Sequence, residues 1–539
     1  MEAQRLQPHG QGADERRELL SRAGAVGAGT LFSRLLGLAR DMVLAAVFDR
    51  DVTDAWWVAF TIPNALRQLL GEGAVAGAVV PLLSEKLARE GDVAGRRFFA
   101  RVRGTSLVAL AIATALGMAF AKPLAGLFAA GYRSRPGELE RTEQLTRAVF
   151  PYIFFMGTAA LGMAGLNAKR RFAVAAFAPA LLNVALIGAA LTLPNKLAVM
   201  GFDPALALAA GALAGGALQV LAQWPALRAV GFADRPQLVF DEDVRKVLAR
   251  IAPLSIGIGI YAIDLVISRR FLSGLGQGAQ SYFSWAMRLC DFPQGIFVMA
   301  LSTAVLPALS TLAAGGLWDE LAATWAHGMS LTLFVAIPAS AAVAVLGEPI
   351  VVMLFQRGQF DSVAAHETAR SLLWQGGAIW TVAAVRQIVP ALYALGDTRT
   401  PVVVSALDLL VFVGLAATLR SPMGHAGVSA AVFGSSAVQM ALLLVGLRRK
   451  LGTLRGDVLV ASSARTLVAS IVASGAGWVV ARTVTSVATT TAMSHVLPGL
   501  CGIVTFGATF VVSARVLGAP ELHEFSSVLR RRAVRRVAA

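Results

Sequence analysis

Apolar runs long enough to cross a bilayer recur along the chain, each closed by a short polar break. They fall near residues 22–48, 54–88, 98–130, 143–168, 173–193, 203–230, 246–273, 279–312, 321–346, 363–394, 400–419, 425–448, 462–485 and 494–517. The pattern predicts an all-α polytopic membrane protein of about fourteen transmembrane helices. The second run would be roughly 50 Å long as one helix, against a hydrocarbon core of ~30 Å. It must tilt, protrude or bend, and Pro63 and Pro81 are the natural places for a bend.

The pattern also repeats. Gly71–Ser84 (GEGAVAGAVVPLLS) matches Phe297–Ser310 (FVMALSTAVLPALS), with Pro81 against Pro307 at a shift of 226 residues. The same shift places Leu166-Asn167-Ala168 on Leu392-Tyr393-Ala394 and Pro123 on Pro349; near the ends, residues 217–228 resemble 437–448 at a shift of 220. A unit of about six helices is even in number, so both copies enter the membrane the same way. Two parallel six-helix lobes are expected, 22–230 and 246–448, with a cavity between them suited to alternating access. Helices thirteen and fourteen, within 462–517, fall outside the repeat. Residues 1–21 and the basic tail 518–539 flank the whole.

Composition agrees with a membrane protein: 56% of the 539 residues are hydrophobic, 15% are charged, and mean hydropathy is +0.66. The net charge of +16 would suggest nucleic acid in a soluble protein, but hydropathy overrides that reading and no nucleic-acid partner is expected. The polar start lacks an apolar core ending in a cleavage site, so no signal peptide is expected. Basic residues cluster after even-numbered helices: Arg89, Arg96 and Arg97; Lys169 to Arg171; Arg228 to Lys246; Arg399; and Arg448 to Arg455. The positive-inside bias then puts both termini in the cytoplasm. Cys290 and Cys501 offer neither a disulfide framework nor metal spacing.

Against this background the charges inside apolar runs stand out. Arg34, Arg40 and Asp41 lie in the first helix, and Asp54, Asn64, Arg67 and Glu72 in the second. Arg288, with Asp291 beside Pro293, and Arg386 belong to the second lobe. Guanidinium groups at membrane depth face a cavity or an anion rather than lipid. Their planar fork suits phosphate. Local pairing is the competing reading: Arg34 with Asp41, Arg67 with Glu72, Arg288 with Asp291. Three arginines in one short stretch favour the shared anion site. Arg269 and Arg270 read as snorkelling to the interface. Asp264 and Asp408 are isolated acids in apolar runs, read either as a coupling site for Na+ or H+ or as local partners of Ser268 and Ser405. His366, His425 and His495 read as surface residues.

SRLLGLARD, TDAWWVAFTIPNALRQLLGEGAVAGAVVPLLSE, RLCDFPQGIFVMALSTAVLPALS, LFQRGQFD and YALGDTRTPV, in that order, resemble the MurJ/MviN family of lipid II flippases. The family belongs to the multidrug/oligosaccharidyl-lipid/polysaccharide exporter superfamily. The resemblance implies a non-enzymatic transporter of the bacterial inner membrane. It would move undecaprenyl-pyrophosphate-linked peptidoglycan precursor from the inner to the outer leaflet. It implies that Arg34, Arg40, Arg67 and Arg288 bind pyrophosphate. Asp41, Asp54, Asn64, Glu72 and Arg386 support the cavity, and the last two helices line a groove for the lipid tail. Lipid II and membrane lipids are the implied partners, with other cell-wall synthesis proteins as further candidates. The working form is a monomer, with no cofactor beyond Na+ or H+ coupling and the membrane potential. Two departures alter charge near the site. Ala286-Met287-Arg288 replaces the frequent Ala-Asp-Arg, and Gln68 follows Arg67 where a second arginine is common. The alternatives are a flippase for another polyprenyl-pyrophosphate glycan and a cation-coupled drug exporter. The arginine excess opposes an exporter of organic cations, and the short loops offer no acid/base or metal constellation for an enzyme.

Overall fold

The computed structural model describes residues 29, 31–67, 74–135, 137–295, 299–488 and 490–524. Among them every regular element is helical. The first half runs α1 (31–47), α2 (Arg50–Arg67), α3 (Ala74–Ala119), α4 (Ala121–Phe128), α5 (Glu138–Val149), α6 (Tyr152–Ala168), α7 (Phe172–Thr192), α8 (Pro194–Val199) and α9 (Leu206–Ala229). The second half runs α10 (Glu242–Ser273), α11 (Ala279–Pro293), α12 (Met299–Ala314), α13 (Trp318–Val345), α14 (Gly347–Phe355), α15 (Ser362–Gly377), α16 (Ile379–Ala394), α17 (Arg399–Met423) and α18 (His425–Leu451). Last come α19 (Gly456–Val487) and α20 (Thr491–Val516). Eight described helices are long and apolar enough to cross a membrane, and 177–192 and 305–314 are shorter apolar stretches. Length and apolarity alone therefore identify fewer spans than the fourteen expected. α2, α11, α15 and α16 are shorter than eighteen residues or carry charge where a span would be apolar. Pro63 and Pro81 both lie inside helix, in α2 and α3; the chain between them at 68–73 lies outside the described residues.

The repeat recurs helix by helix. The 46 residues of α3 are broken at Gly91 (φ 81°, ψ −178°), a conformation open to glycine and costly for any residue with a Cβ. In the second half Gly316 (φ 68°) stands at the matching place, between α12 and α13. The short α4 returns as α14, α6 as α16 and α7 as α17, each 226 or 227 residues on at its first residue. The turns after α6 and α16 use the same left-handed residue, Arg170 (φ 58°) in one and Gly396 (φ 75°) in the other.

The described chain forms two compact units. One comprises residues up to Val47, Ala55–Leu127 and Arg135–Ile263; the other takes Phe48–Asp54, Phe128–Ser134 and everything from Asp264. The division falls inside α10, not in the polar segment 231–245.

In the first unit, close helix approach depends on missing side chains. A Cβ at Gly211 or Gly215 of α9 would lie 2.8 or 2.7 Å from α7 atoms, at Ala189 and Leu182. Such small-xxx-small spacing lets helix backbones meet where lipid supplies no hydrophobic drive. At one end of this unit Phe99 stacks on Phe232 at 4.7 Å. The segment leading to α10 is pinned there by Arg103 to the carbonyls of Phe232 and Asp234, and by Arg101 to Asp241 at 2.5 Å. The second unit buries Trp285 and Trp325 completely. α19 and α20 pack closely, since a Cβ at Gly477 would lie 3.0 Å from the Gly502 carbonyl, and Phe334 of α13 meets Phe510 of α20 at 5.4 Å.

Candidate functional site

Arg40 is the best-defined of the predicted anion ligands. α1 is helical throughout 31–47, and neighbouring residues on a helix do not face each other. The guanidinium nevertheless curls back so that Nε and Nη2 both donate to Asp41 Oδ1, at 2.7 and 2.5 Å. Nη1 donates to Asn183 Oδ1 of α7 at 3.0 Å, and Asn183 Nδ2 donates to the Ser33 carbonyl at 3.0 Å. Arg40 is buried and Asp41 completely so. The sequence paired Asp41 with Arg34; Asp41 engages Arg40, its neighbour in the chain, a contact not weighed from the sequence. Arg34 and Asn64 are half-buried on α1 and α2. Arg67 is the last residue of α2, and its side chain and the whole of Glu72 lie outside the described residues.

Asp54 belongs to the second unit and has a definite task there. α11 begins at Gly278, a left-handed residue with no side chain to cap the helix. Asp54 supplies the cap from more than two hundred residues away. Its Oδ2 accepts from Gly278 N–H at 2.7 Å, and Oδ1 accepts from Ser281 N–H at 2.8 Å and from the Ser281 hydroxyl at 2.6 Å. A carboxylate at a helix N-terminus satisfies orphan amides and meets the positive end of the helix dipole. Arg50 pairs with Asp361, and Gln277 donates to Asp51 at 2.7 Å. The first turn of α2 is therefore fixed within the second unit at several points.

Arg288 and Asp291 are half-buried on α11, and Arg386 is half-buried on α16. Met287, one of the departures near the site, packs against the apolar cluster of Leu272, Phe283, Phe412 and Val428. The position thus contributes packing in place of the family's frequent charge. Asp264 on α10 and Asp408 on α17 lie near enough for their charges to interact. Asp408 Oδ1 is buried with no hydrogen-bond partner among the described residues. Ser405, the partner suggested by the sequence, receives a hydrogen bond from Gln439 at 3.4 Å, and Ser435 of α18 donates to the Val432 carbonyl at 3.4 Å. A carboxylate pair offers hard oxygen ligands of the kind Na+ takes, or a shared proton.

Two expectations fail. Arg269 does not snorkel: it is 3% exposed and donates to Gln280 Oε1 at 2.9 Å and Ser284 Oγ at 2.8 Å. The facing turn of α11 places these two acceptors within reach, so the head group is satisfied in the interior. Arg270 beside it is exposed. His425 is not a surface residue. It opens α18 buried, with Nε2 2.8 Å from Glu367 Oε2 and Nδ1 2.7 Å from Ser371 Oγ. Sequence reasoning also missed Asn183, Gln280, Ser281 and Ser284. Asn183 is a single polar residue in an apolar run, and a polar residue isolated at membrane depth is the one signal that could have marked it; the others lie in the polar start of α11, LGQGAQSYFS, which carries no such signal.

The model of the family described as lipid II flippase MurJ matches residues 44–497. A probable lipid II flippase MurJ of Bdellovibrio bacteriovorus is 35% identical over 443 residues, covering 81% of this chain and 83% of that protein. The lipid II flippase MurJ of Burkholderia cenocepacia is 33% identical over 428 residues, covering 78% and 82%. Among solved structures, a lipid II flippase MurJ in an inward closed conformation superposes with a TM-score of 0.73 at 22% identity, over 91% of this chain and 99% of that one. An inward-facing multidrug resistance MATE family transporter of the MOP superfamily gives 0.65 at 14% identity, over 79% and 96%. At those identities the solved structures speak for the fold.

Proposed function

The chain belongs to the MurJ family of lipid II flippases, and from that premise we propose that it carries lipid II from the inner to the outer leaflet of the bacterial inner membrane by alternating access. The observation that carries the proposal is the family match, which runs through both units from residue 44 to 497. The proposal includes fourteen spans in two parallel lobes with an added pair, and both termini in the cytoplasm, as Arg228 at the end of α9 and Arg448, Arg449 and Lys450 at the end of α18 favour. The function needs no covalent chemistry. The pyrophosphate is met by Arg34, Arg40, Arg67 and Arg288, whose charge persists at any working pH. Asp41, Asp54, Asn64, Glu72 and Arg386 shape the surroundings. The lipid tail stays in the bilayer against α19 and α20. An inside-negative potential favours outward movement of an anionic headgroup by ~2.3 kcal/mol per charge per 100 mV. A cation held by Asp264 and Asp408 is the coupling element of this reading.

Growth rescue tests it. In cells depleted of their own lipid II flippase, the wild-type chain restores growth, while Arg67→Lys or Arg288→Ala inserts normally and does not. Full rescue by both variants refutes the arginine clamp. Failure of the wild type, with transport of another polyprenyl-pyrophosphate glycan in reconstituted vesicles, moves the assignment to that substrate. Transport by Asp264→Asn/Asp408→Asn that keeps its full ion dependence removes the carboxylate pair from coupling.

A further inference from the structure

Asn183 is 6% exposed in an apolar stretch of α7, ALLNVALIG, where an amide is costly unless both of its ends are bonded. Both are. The amide donates to the Ser33 carbonyl and accepts from Arg40 Nη1, each at 3.0 Å. Residues 33 and 40 are two turns apart on one face of α1, so the side chain bridges along that helix. It passes over Gly37, whose Cβ would stand 3.8 Å from Asn183 Nδ2. A guanidinium has five N–H donors in one plane. Asp41 takes two of Arg40's on a single oxygen, Oδ1. Asn183 takes one on the other terminal nitrogen and does so from a different helix, so the two contacts together fix a direction in the guanidinium plane. The backbone anchor at Ser33 in turn prevents the amide from following Arg40.

We infer that Asn183 is a positioning residue of Arg40, helping to set the plane in which that guanidinium meets the oxygens of a pyrophosphate. The inference rests on the flippase reading. Asn183 itself touches no substrate; it reduces the ordering that Arg40 would otherwise undergo on binding.

The test uses the full chain in proteoliposomes with fluorescent lipid II, and binding of lipid II to the detergent-solubilised protein. Asn183→Leu removes both hydrogen bonds, whereas Asn183→Asp keeps an acceptor for Arg40 and loses the donor to Ser33. Asn183→Leu is expected to raise KM for lipid II about tenfold and to leave kcat within about twofold. Asn183→Asp should fall between wild type and Asn183→Leu in KM, with the amount of folded protein measured beside KM for each variant. In an Arg40→Ala background, Asn183→Leu should change lipid II binding by less than about twofold, because the group it positions is gone. Equal losses in both backgrounds overturn the inference. So does a loss of folded protein with KM unchanged, or a KM for Asn183→Asp above that of Asn183→Leu. A wild-type chain that neither binds nor moves lipid II is a different failure. It overturns the flippase reading, even where thermal unfolding still shows residues 40 and 183 coupled.

Discussion

Removing the charge of Asp54 should uncouple α11 from its distant cap. Asp54 is 1% exposed and accepts three hydrogen bonds, from Gly278 N–H, Ser281 N–H and the Ser281 hydroxyl. Hydrogen bonds to a charged group contribute about 1.5–3 kcal/mol each in mutational series, and a helix N-terminus adds up to ~2 kcal/mol for a buried anion. These terms overlap, and pairwise couplings measured inside membranes average ~0.6 and reach ~1.7 kcal/mol. Asp54→Asn keeps one acceptor oxygen and points an amide N–H₂ toward a backbone donor, so its total cost should be about 2–4 kcal/mol. The bond to the Ser281 side chain can be isolated with Ser281→Ala and the double variant. A coupling energy of about 1–1.5 kcal/mol is expected in reversible unfolding from mixed micelles. Coupling below about 0.3 kcal/mol, or Asp54→Asn unfolding like wild type, refutes the reading of Asp54 as the α11 cap.

Three further outcomes follow from local geometry. Arg170 carries φ 58° where the matching turn has Gly396 at φ 75°. Arg170→Gly should therefore stabilise by about 1 kcal/mol and Gly396→Ala destabilise by a similar amount in thermal unfolding. A Cβ at Gly104 would lie 2.2 Å from the Gln237 carbonyl oxygen, and backbone cannot rotate away. Gly104→Ala should cost about 1–3 kcal/mol and speed protease cleavage within residues 232–241. Asp397, between α16 and α17, is held below the usual carboxylate range by the Thr400 N–H at 2.9 Å and hydroxyl at 2.8 Å, with Lys450 adding to the effect. Its folded value is the lower one, so its contribution is whole above about pH 4 and is lost as pH falls through that lowered value. Asp397→Asn should be less stable than wild type at about pH 6, and the difference should shrink on acidification.

Much of the architecture was legible because it is written in long apolar runs and a repeat. The shift of 226 residues between Pro81 and Pro307 anticipates the pairing of α4 with α14 and of α6 with α16. The apolar runs also end and restart around Gly91 and Gly316, but they do not reveal that α3 stays helical on both sides of Gly91, since a polar stretch reads as a loop and the φ of a single glycine is not written in the sequence. The candidate site was legible in its charges and not in their partners. Arg40 and Asp41 stand out in any apolar helix, but the third contact comes from α7, and only tertiary packing brings Asn183 to it. Arg269 and His425 were misread for one reason. Position near a helix end suggests exposure, while Gln280, Ser284, Glu367 and Ser371 on other helices make the interior hospitable to them.

The second unit is assembled from three separate stretches of chain, two of which, Phe48–Asp54 and Phe128–Ser134, are synthesised long before the third begins at Asp264. The early pieces are built in. Asp54 closes the start of α11, and Gly131 N–H donates to Ser273 Oγ at 3.1 Å, packed so closely that a Cβ there would meet the Ser273 carbonyl at 2.3 Å. The early pieces must therefore wait, already inserted, for a unit that the ribosome has not yet made. A fragment starting at Asp264 would carry α11 with bare amides at its first turn. A chain cut between the repeats should regain its fold only when both halves are made in the same membrane, so the duplication visible in the sequence does not yield two proteins.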